Sequence, residues 1–170
     1  MRKKTVRLTK AEIRDAEAKA IAGTMKRLMT GYRTLLEVEL EKENITLAQL
    51  RMLSALNEEP DHSAAGLART CFITPQSMQA IVTRAEKLGW IRRQPSPANR
   101  RVLTAQLTAE GRRVLEKGMG LWTVISREMW ADTKLSEMEM LKGVLSSAVD
   151  RLQPQLDALH ARSAARRKTA

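Results

Sequence analysis

Between Thr74 and Arg101 the chain sets out short polar side chains and cations at spacings suited to a charged duplex. Thr74, Gln76 and Ser77 come first, then Gln79, Thr83, Arg84 and Lys87. A glutamine amide can pair with the adjacent donor and acceptor of adenine, and a threonine methyl can touch the methyl of thymine. Arg84 can read guanine or hold a phosphate, and Lys87 suits a phosphate. The hydroxyls of Thr74 and Ser77, at the start of a helix, add a phosphate-holding end. Asn99, Arg100 and Arg101 follow at a Pro-rich loop, where arginine suits the negative potential of a narrow minor groove. Taken singly, each reads as a solvated surface residue. The grouping changes that reading: Ser63 to Thr108 carries seven Lys/Arg against one acid, Glu86.

These residues need elements to position them. Ser63 caps a short helix to Thr70, and Cys71-Phe72-Ile73 forms a turn. Thr74 then caps a second helix with Pro75 at its first position, a strong start signal. Met78, Ile81, Val82, Ala85 and Leu88 make its inward stripe, and Gly89 ends it. Two strands, Trp90–Gln94 and Arg101–Leu107, flank the loop Pro95-Ser-Pro-Ala-Asn-Arg. A helix pair followed by a basic hairpin is the order of a winged helix-turn-helix, which suits a DNA groove and its phosphates.

Long helices lie on both sides. Thr9 and Glu12 have capping-box spacing and open a helix to about Glu43, with an apolar seam at Ile21, Met25, Leu28, Tyr32 and Leu35. Asn44-Ile45-Thr46 leads into a helix over Leu47–Asn57. Thr108 caps another to about Trp130. Ser136 and Glu139 have capping-box spacing and open a last helix to about Ala161, with Met138, Leu141, Leu145, Ala148 and Leu152 in one seam and Pro154 expected to kink it. The expected fold is mainly α with a small β-hairpin wing. The expected organisation is a tail and dimerisation helix over 1–45, the winged helix-turn-helix over 46–108, dimerisation helices over 109–161 and a basic tail over 162–170. Apolar stripes on both arms favour a homodimer.

The net charge of +11 points to a polyanion. It is unevenly placed: +5 in Met1–Lys10, +4 in Ala161–Ala170 and +6 in the winged segment, against −4 over the rest. One cysteine, Cys71, excludes an intrachain disulfide and leaves no zinc cluster. It fits packing better than redox sensing, since no His or second Cys lies near it in sequence. His62 and His160 have no ligand spacing. No glycine-rich phosphate loop, nucleophile elbow or acid pair suggests an enzyme. No apolar run is long enough to cross a bilayer, and no secretory signal is visible, so a cytoplasmic location is expected. At 3% aromatic, the chain has little material for stacking on single strands.

The central segment resembles the multiple antibiotic resistance regulator (MarR) family of bacterial transcription factors. The resemblance covers about Thr46 to Gly111. It is carried by Leu47-Ala-Gln-Leu-Arg-Met-Leu, Gly66-Leu-Ala-Arg, Thr74-Pro-Gln-Ser, Glu86-Lys-Leu-Gly-Trp-Ile, and Asn99-Arg-Arg followed by Leu107-Thr-Ala-Glu-Gly111. Two positions depart from the family pattern. Asn99 stands where Asp is usual, removing an ion pair that would brace the wing, and Phe72 stands where Gly is frequent. The resemblance implies a homodimeric repressor on double-stranded DNA, with recognition helices in successive major grooves and wings in minor grooves. Half-sites would lie about one turn, roughly 34 Å, apart on a pseudo-palindromic operator. It also implies release by a small aromatic or phenolic effector held in a cleft, with no other cofactor. By family position Tyr32, Arg33, Met52 and Trp90 fall near that cleft, with His62 able to line it. Two alternatives are a non-specific architectural DNA-binding protein, suggested by the basic tails, and a regulator responding to oxidation of Cys71.

Overall fold

A computed structural model describes residues 9–96 and 99–168. The chain orders as α1 (Lys10–Lys42), α2 (Leu47–Glu58), β1 (His62–Ser63), α3 (Ala64–Thr70), α4 (Pro75–Lys87), β2 (Ile91–Pro95), β3 (Leu103–Leu107), α5 (Ala109–Met129) and α6 (Leu135–Lys168). The strands form one antiparallel sheet in the order β1-β3-β2. Two compact units are present, one through Arg127 and one from Glu128. No helix among the described residues is long and apolar enough to cross a membrane.

Local chemistry accounts for most element boundaries in the first unit. Thr9 and Glu12 form a complete capping box at α1, and Thr46 and Gln49 form another at α2. Three helix ends are closed in the same way. The residue after the C-cap turns left-handed, and two backbone N–H groups donate back to the last turn. At α1 this is Asn44 (φ 58), with Ile45 N–H donating to Leu40 O at 3.0 Å. At α4 it is Gly89 (φ 72), with Trp90 N–H donating to Ala85 O at 2.9 Å. At α3 it is Phe72 (φ 54), with Ile73 N–H donating to Ala68 O at 2.9 Å. So the departure at Phe72 leaves the turn geometry intact. The cost is a left-handed backbone at a residue with a Cβ, on the order of 1 kcal/mol.

The core is built where α2, α3, α4 and the sheet meet the C-terminal third of α1. Leu36, Leu40, Met52, Leu53, Leu56, Leu67, Met78 and Val82 are its fully buried side chains. This corrects the expected seam on α1. Tyr32, Leu36 and Leu40 are buried, whereas Ile21 and Leu35 are 57% and 59% exposed and Met25 and Leu28 are also exposed. The helix projects its N-terminal two-thirds beyond the core, so the packing stripe follows the few residues facing α2 and α5.

In the second unit, α6 starts at Leu135, and Ser136 lies inside it. The expected cap is replaced by Glu137, whose Oε2 accepts from Lys134 N–H at 3.0 Å. The helix continues through Pro154 to Lys168, seven residues beyond the expected end. Val144, Val149, Leu152 and Leu156 on it are exposed, while Met138 and Leu145 of the expected seam are half-buried.

Candidate nucleic-acid interface

The α4 helix sorts its residues by depth. Met78, Val82 and Ala85 are buried, and Ile81 is half-buried. Leu88, expected inward, is 36% exposed because the helix closes there. Gln76, Ser77, Gln79, Arg84 and Lys87 are exposed and Thr83 is half-buried. Thr74 Oγ1 accepts from Ser77 N–H at 3.2 Å and donates to Ser77 Oγ at 2.8 Å, so both hydroxyls stand at the first turn of the helix. Apart from the half-buried Thr83, the residues expected to face DNA on this helix are therefore exposed.

The wing is β2, β3 and the turn joining them. The strands pair from Ile91↔Leu107 to Pro95↔Leu103. The second strand begins at Leu103, two residues later than expected, because Asn99 takes Arg101 and Val102 into a turn. Asn99 Oδ1 accepts from Arg101 N–H at 3.1 Å, and Asn99 O accepts from Val102 N–H at 2.8 Å. Ser96 N–H then donates to Val102 O at 2.8 Å. A neutral amide thus braces the turn where an ion pair was expected to be missing. Arg100 and Arg101 are exposed at this tip. Residues 97 and 98 of the predicted loop lie outside the described residues.

One cation of the segment is committed elsewhere. Arg93 Nε donates to Glu86 Oε2 at 2.7 Å and a terminal guanidinium nitrogen donates to the same oxygen, tying β2 to α4. These hydrogen bonds hold the Glu86 carboxyl below its ordinary range and raise the Arg93 guanidinium. Arg93 therefore positions the wing, which leaves Arg84, Lys87, Arg92, Arg100 and Arg101 as the exposed cations of the two elements, Arg92 lying on the strand with its guanidinium donating to Gln106 Oε1 at 3.0 Å. A residue outside both elements was not singled out by sequence reasoning. Asp61, in the loop before β1, accepts from Gln94 Nε2, Thr104 Oγ1 and Gln106 Nε2 at 3.2, 3.3 and 2.9 Å. Its only local signal is the turn dipeptide Pro60-Asp61.

The residues assigned to the cleft do not come together. Met52 and Trp90 are buried in the core. His62 lies in β1, with Nε2 3.2 Å from Glu59 Oε2. Tyr32 meets Trp122 edge-on at 5.2 Å between ring centroids, and its hydroxyl lies 2.9 Å from Ser126 Oγ. Arg33 is exposed and paired with Glu37 at 2.8 Å. Of the five, only Arg33 lines a cavity among those described, an open one of about 700 Å³ that also touches Arg51 and Arg84. A separate cavity of about 440 Å³ is lined by Leu50, Arg51, Ala55, Cys71, Phe72, Met119 and Trp122. The Cys71 side chain is buried, and burial pushes its thiol pKa up. Among the described residues no group of His, Cys, Asp and Glu is arranged to hold a metal ion.

A capped helix pair, a recognition-type helix and a braced basic hairpin define a winged helix-turn-helix protein. Residues 43–102 match the MarR family model. Over those residues the chain is similar to the MarR family. It is 36% identical over 73 residues to the HTH-type transcriptional repressor Rv2887 of Mycobacterium tuberculosis, covering 43% of this chain and 52% of that protein. The chain thus spans about half the length of the curated repressors it matches. A crystal structure of a MarR variant from E. coli complexed with operator DNA superposes with a TM-score of 0.66 at 19% identity, covering 78% of this chain and 96% of that one. Bordetella bronchiseptica BpsR, whose DNA binding is regulated by 6-hydroxynicotinic acid, superposes with a TM-score of 0.64 at 18% identity, covering 76% and 93%.

Proposed function

We propose that this protein is a sequence-specific DNA-binding repressor, acting in the cytoplasm as a homodimer on a pseudo-palindromic operator. The observation that carries the reading is the joint exposure of Gln76, Gln79, Arg84 and Lys87 on α4 and of Arg100 and Arg101 on the braced wing tip. Amides and cations together supply base reading and phosphate neutralisation, which are different tasks. Its work is binding rather than catalysis. The dimer reading is supported by large apolar side chains left exposed on α1 and, separately, on α6; a lone soluble chain rarely leaves such faces uncovered. A small aromatic or phenolic compound acts as the releasing effector. The 440 Å³ cavity supports this, because Phe72 and Cys71 in its wall belong to the turn that ends two residues before α4. The relatives' names point the same way for repression and for ligand control.

The test is selection of bound fragments from a random duplex pool, followed by affinity measurement over a salt series. A preferred inverted repeat is expected. Arg101→Ala should weaken binding to it by about 1–3 kcal/mol and reduce the salt slope by roughly one, with the dimer intact. Equal affinity for every fragment would refute the reading and identify a non-specific architectural protein instead.

A further inference from the structure

We infer that Asp61 is a positioning residue for the wing, acting on DNA affinity without itself facing DNA; this rests on the DNA-binding reading above. Asp61 holds a left-handed backbone (φ 67) in the loop between α2 and β1. The register pairs Gln94 with Thr104 and Arg92 with Gln106, so these four share one face of the sheet. All four belong to one hydrogen-bonded set. Asp61 Oδ1 accepts from Gln94, Thr104 and Gln106, and Arg92 donates to Gln106 Oε1 at 3.0 Å. Arg93, on the opposite face, is tied to Glu86 of α4. The wing is therefore fastened on both faces by a carboxylate: Glu86 anchors it to the recognition helix and Asp61 to the loop after α2. Asp61 reaches both strands of the hairpin at once, so it fixes how the hairpin lies against the helices and hence where Arg100 and Arg101 are presented.

This role predicts a sign opposite to that of charge alone. Removing a carboxylate adds a positive unit to a protein that binds a polyanion, and charge alone tightens binding. Loss of a positioning residue weakens it. Two substitutions separate the terms. Asp61→Asn keeps an acceptor oxygen, tolerates the left-handed backbone and loses only the charge. Asp61→Gly also tolerates the backbone but loses the acceptor.

The measurement is affinity of the full-length chain for the duplex selected by the wild type, with protection footprints and a melting curve for each variant. Asp61→Asn is expected to bind as tightly as wild type or more tightly. Asp61→Gly is expected to bind roughly tenfold more weakly, the scale of one or two lost hydrogen bonds. Its footprint should lose minor-groove protection while the major-groove contacts persist. In an Arg101→Ala background the loss should shrink, because one of the two positioned arginines is gone. If Asp61→Gly does not fold, Gln94→Ala combined with Gln106→Ala removes two donors without touching the loop, and the same weakening is expected. Asp61→Gly (or the double variant, where it stands in) binding at least as tightly as wild type, or a loss that adds in full to that of Arg101→Ala, overturns the inference. A wild type with no preferred duplex is instead a failure of the DNA-binding reading.

Discussion

Three glycines on α5 provide a graded test of how this helix seats against the winged unit. A Cβ at Gly111 would stand 1.9 Å from Trp90 O and 2.9 Å from its carbonyl carbon. Ordinary contact is about 3.5 Å, so the start of α5 would have to retreat by more than 1 Å. That carbonyl also accepts from Thr108 N–H at 3.0 Å and from Thr108 Oγ1 at 3.1 Å, and the retreat strains both bonds. Overpacking costs about 1–3 kcal/mol and each compromised hydrogen bond about 1, offset by about 1 from replacing Gly with Ala in a helix. The net expectation for Gly111→Ala is a loss of about 2–4 kcal/mol. At this chain length that lowers the melting midpoint by about 4–16 °C. At Gly118 the neighbour is Leu50 Cδ1 at 2.4 Å, the free end of a side chain that can rotate away, so Gly118→Ala costs no more than about 1 kcal/mol. At Gly120 nothing lies within 4 Å, and Gly120→Ala gains about 1 kcal/mol from helix propensity alone. Urea and thermal unfolding followed by far-ultraviolet circular dichroism give the order. Gly111→Ala melting at or above Gly120→Ala would refute the close approach of α5 to the first wing strand.

Glu86 carries a pH signature. Arg93 holds its carboxyl below the ordinary 4.5, so the stability it contributes is present above that pH and is lost as pH falls through the lower folded value. Glu86→Gln should lower stability at pH 7 by at most about 1 kcal/mol and flatten the acid limb of stability below about pH 4.5; an unchanged limb counts against the clamp. Burial raises the Cys71 thiol, so at pH 8 iodoacetamide should label the native protein far more slowly than the urea-unfolded chain. Fast native labelling would contradict that burial and reopen the oxidant-sensing alternative.

What could be read in the sequence was what the chain decides locally. Thr9 with Glu12, Thr74 with Pro75, and Gly89 each fix a helix end through groups within a few residues, and each stands where expected. Features made by distant pairing were not legible. The two residues of β1 form a strand only because Ala105 and Thr104 lie opposite them. Leu35 and Leu36 are equally apolar neighbours, and only the position of the core selects Leu36 for burial. Asp61 reads as an ordinary turn residue because its donors lie 33 to 45 positions away. Where the residues assigned to the cleft by family position lie was not legible for a related reason. Family position set Tyr32, Met52 and Trp90 near a cleft, their apolar character suits a core equally well, and in the chain all three are buried.

Counting seven cations against one acid in the winged segment has the right sign but treats the cations as equivalent, and the structure divides them by task. Arg93 is neutralised by Glu86 and works on the fold; Arg100 and Arg101 stand exposed at a tip held by the Asn99 amide. A carboxylate at position 99 could accept the same Arg101 N–H, since the bond needs only an oxygen. It would also place a negative charge one residue from Arg100 and two from Arg101, within a Debye length of any phosphate these residues approach. The amide supplies the acceptor without that charge. Asn99 therefore separates bracing the turn from screening it, and the wing tip keeps the full charge of both arginines, which under the proposed function is what a phosphate backbone would meet.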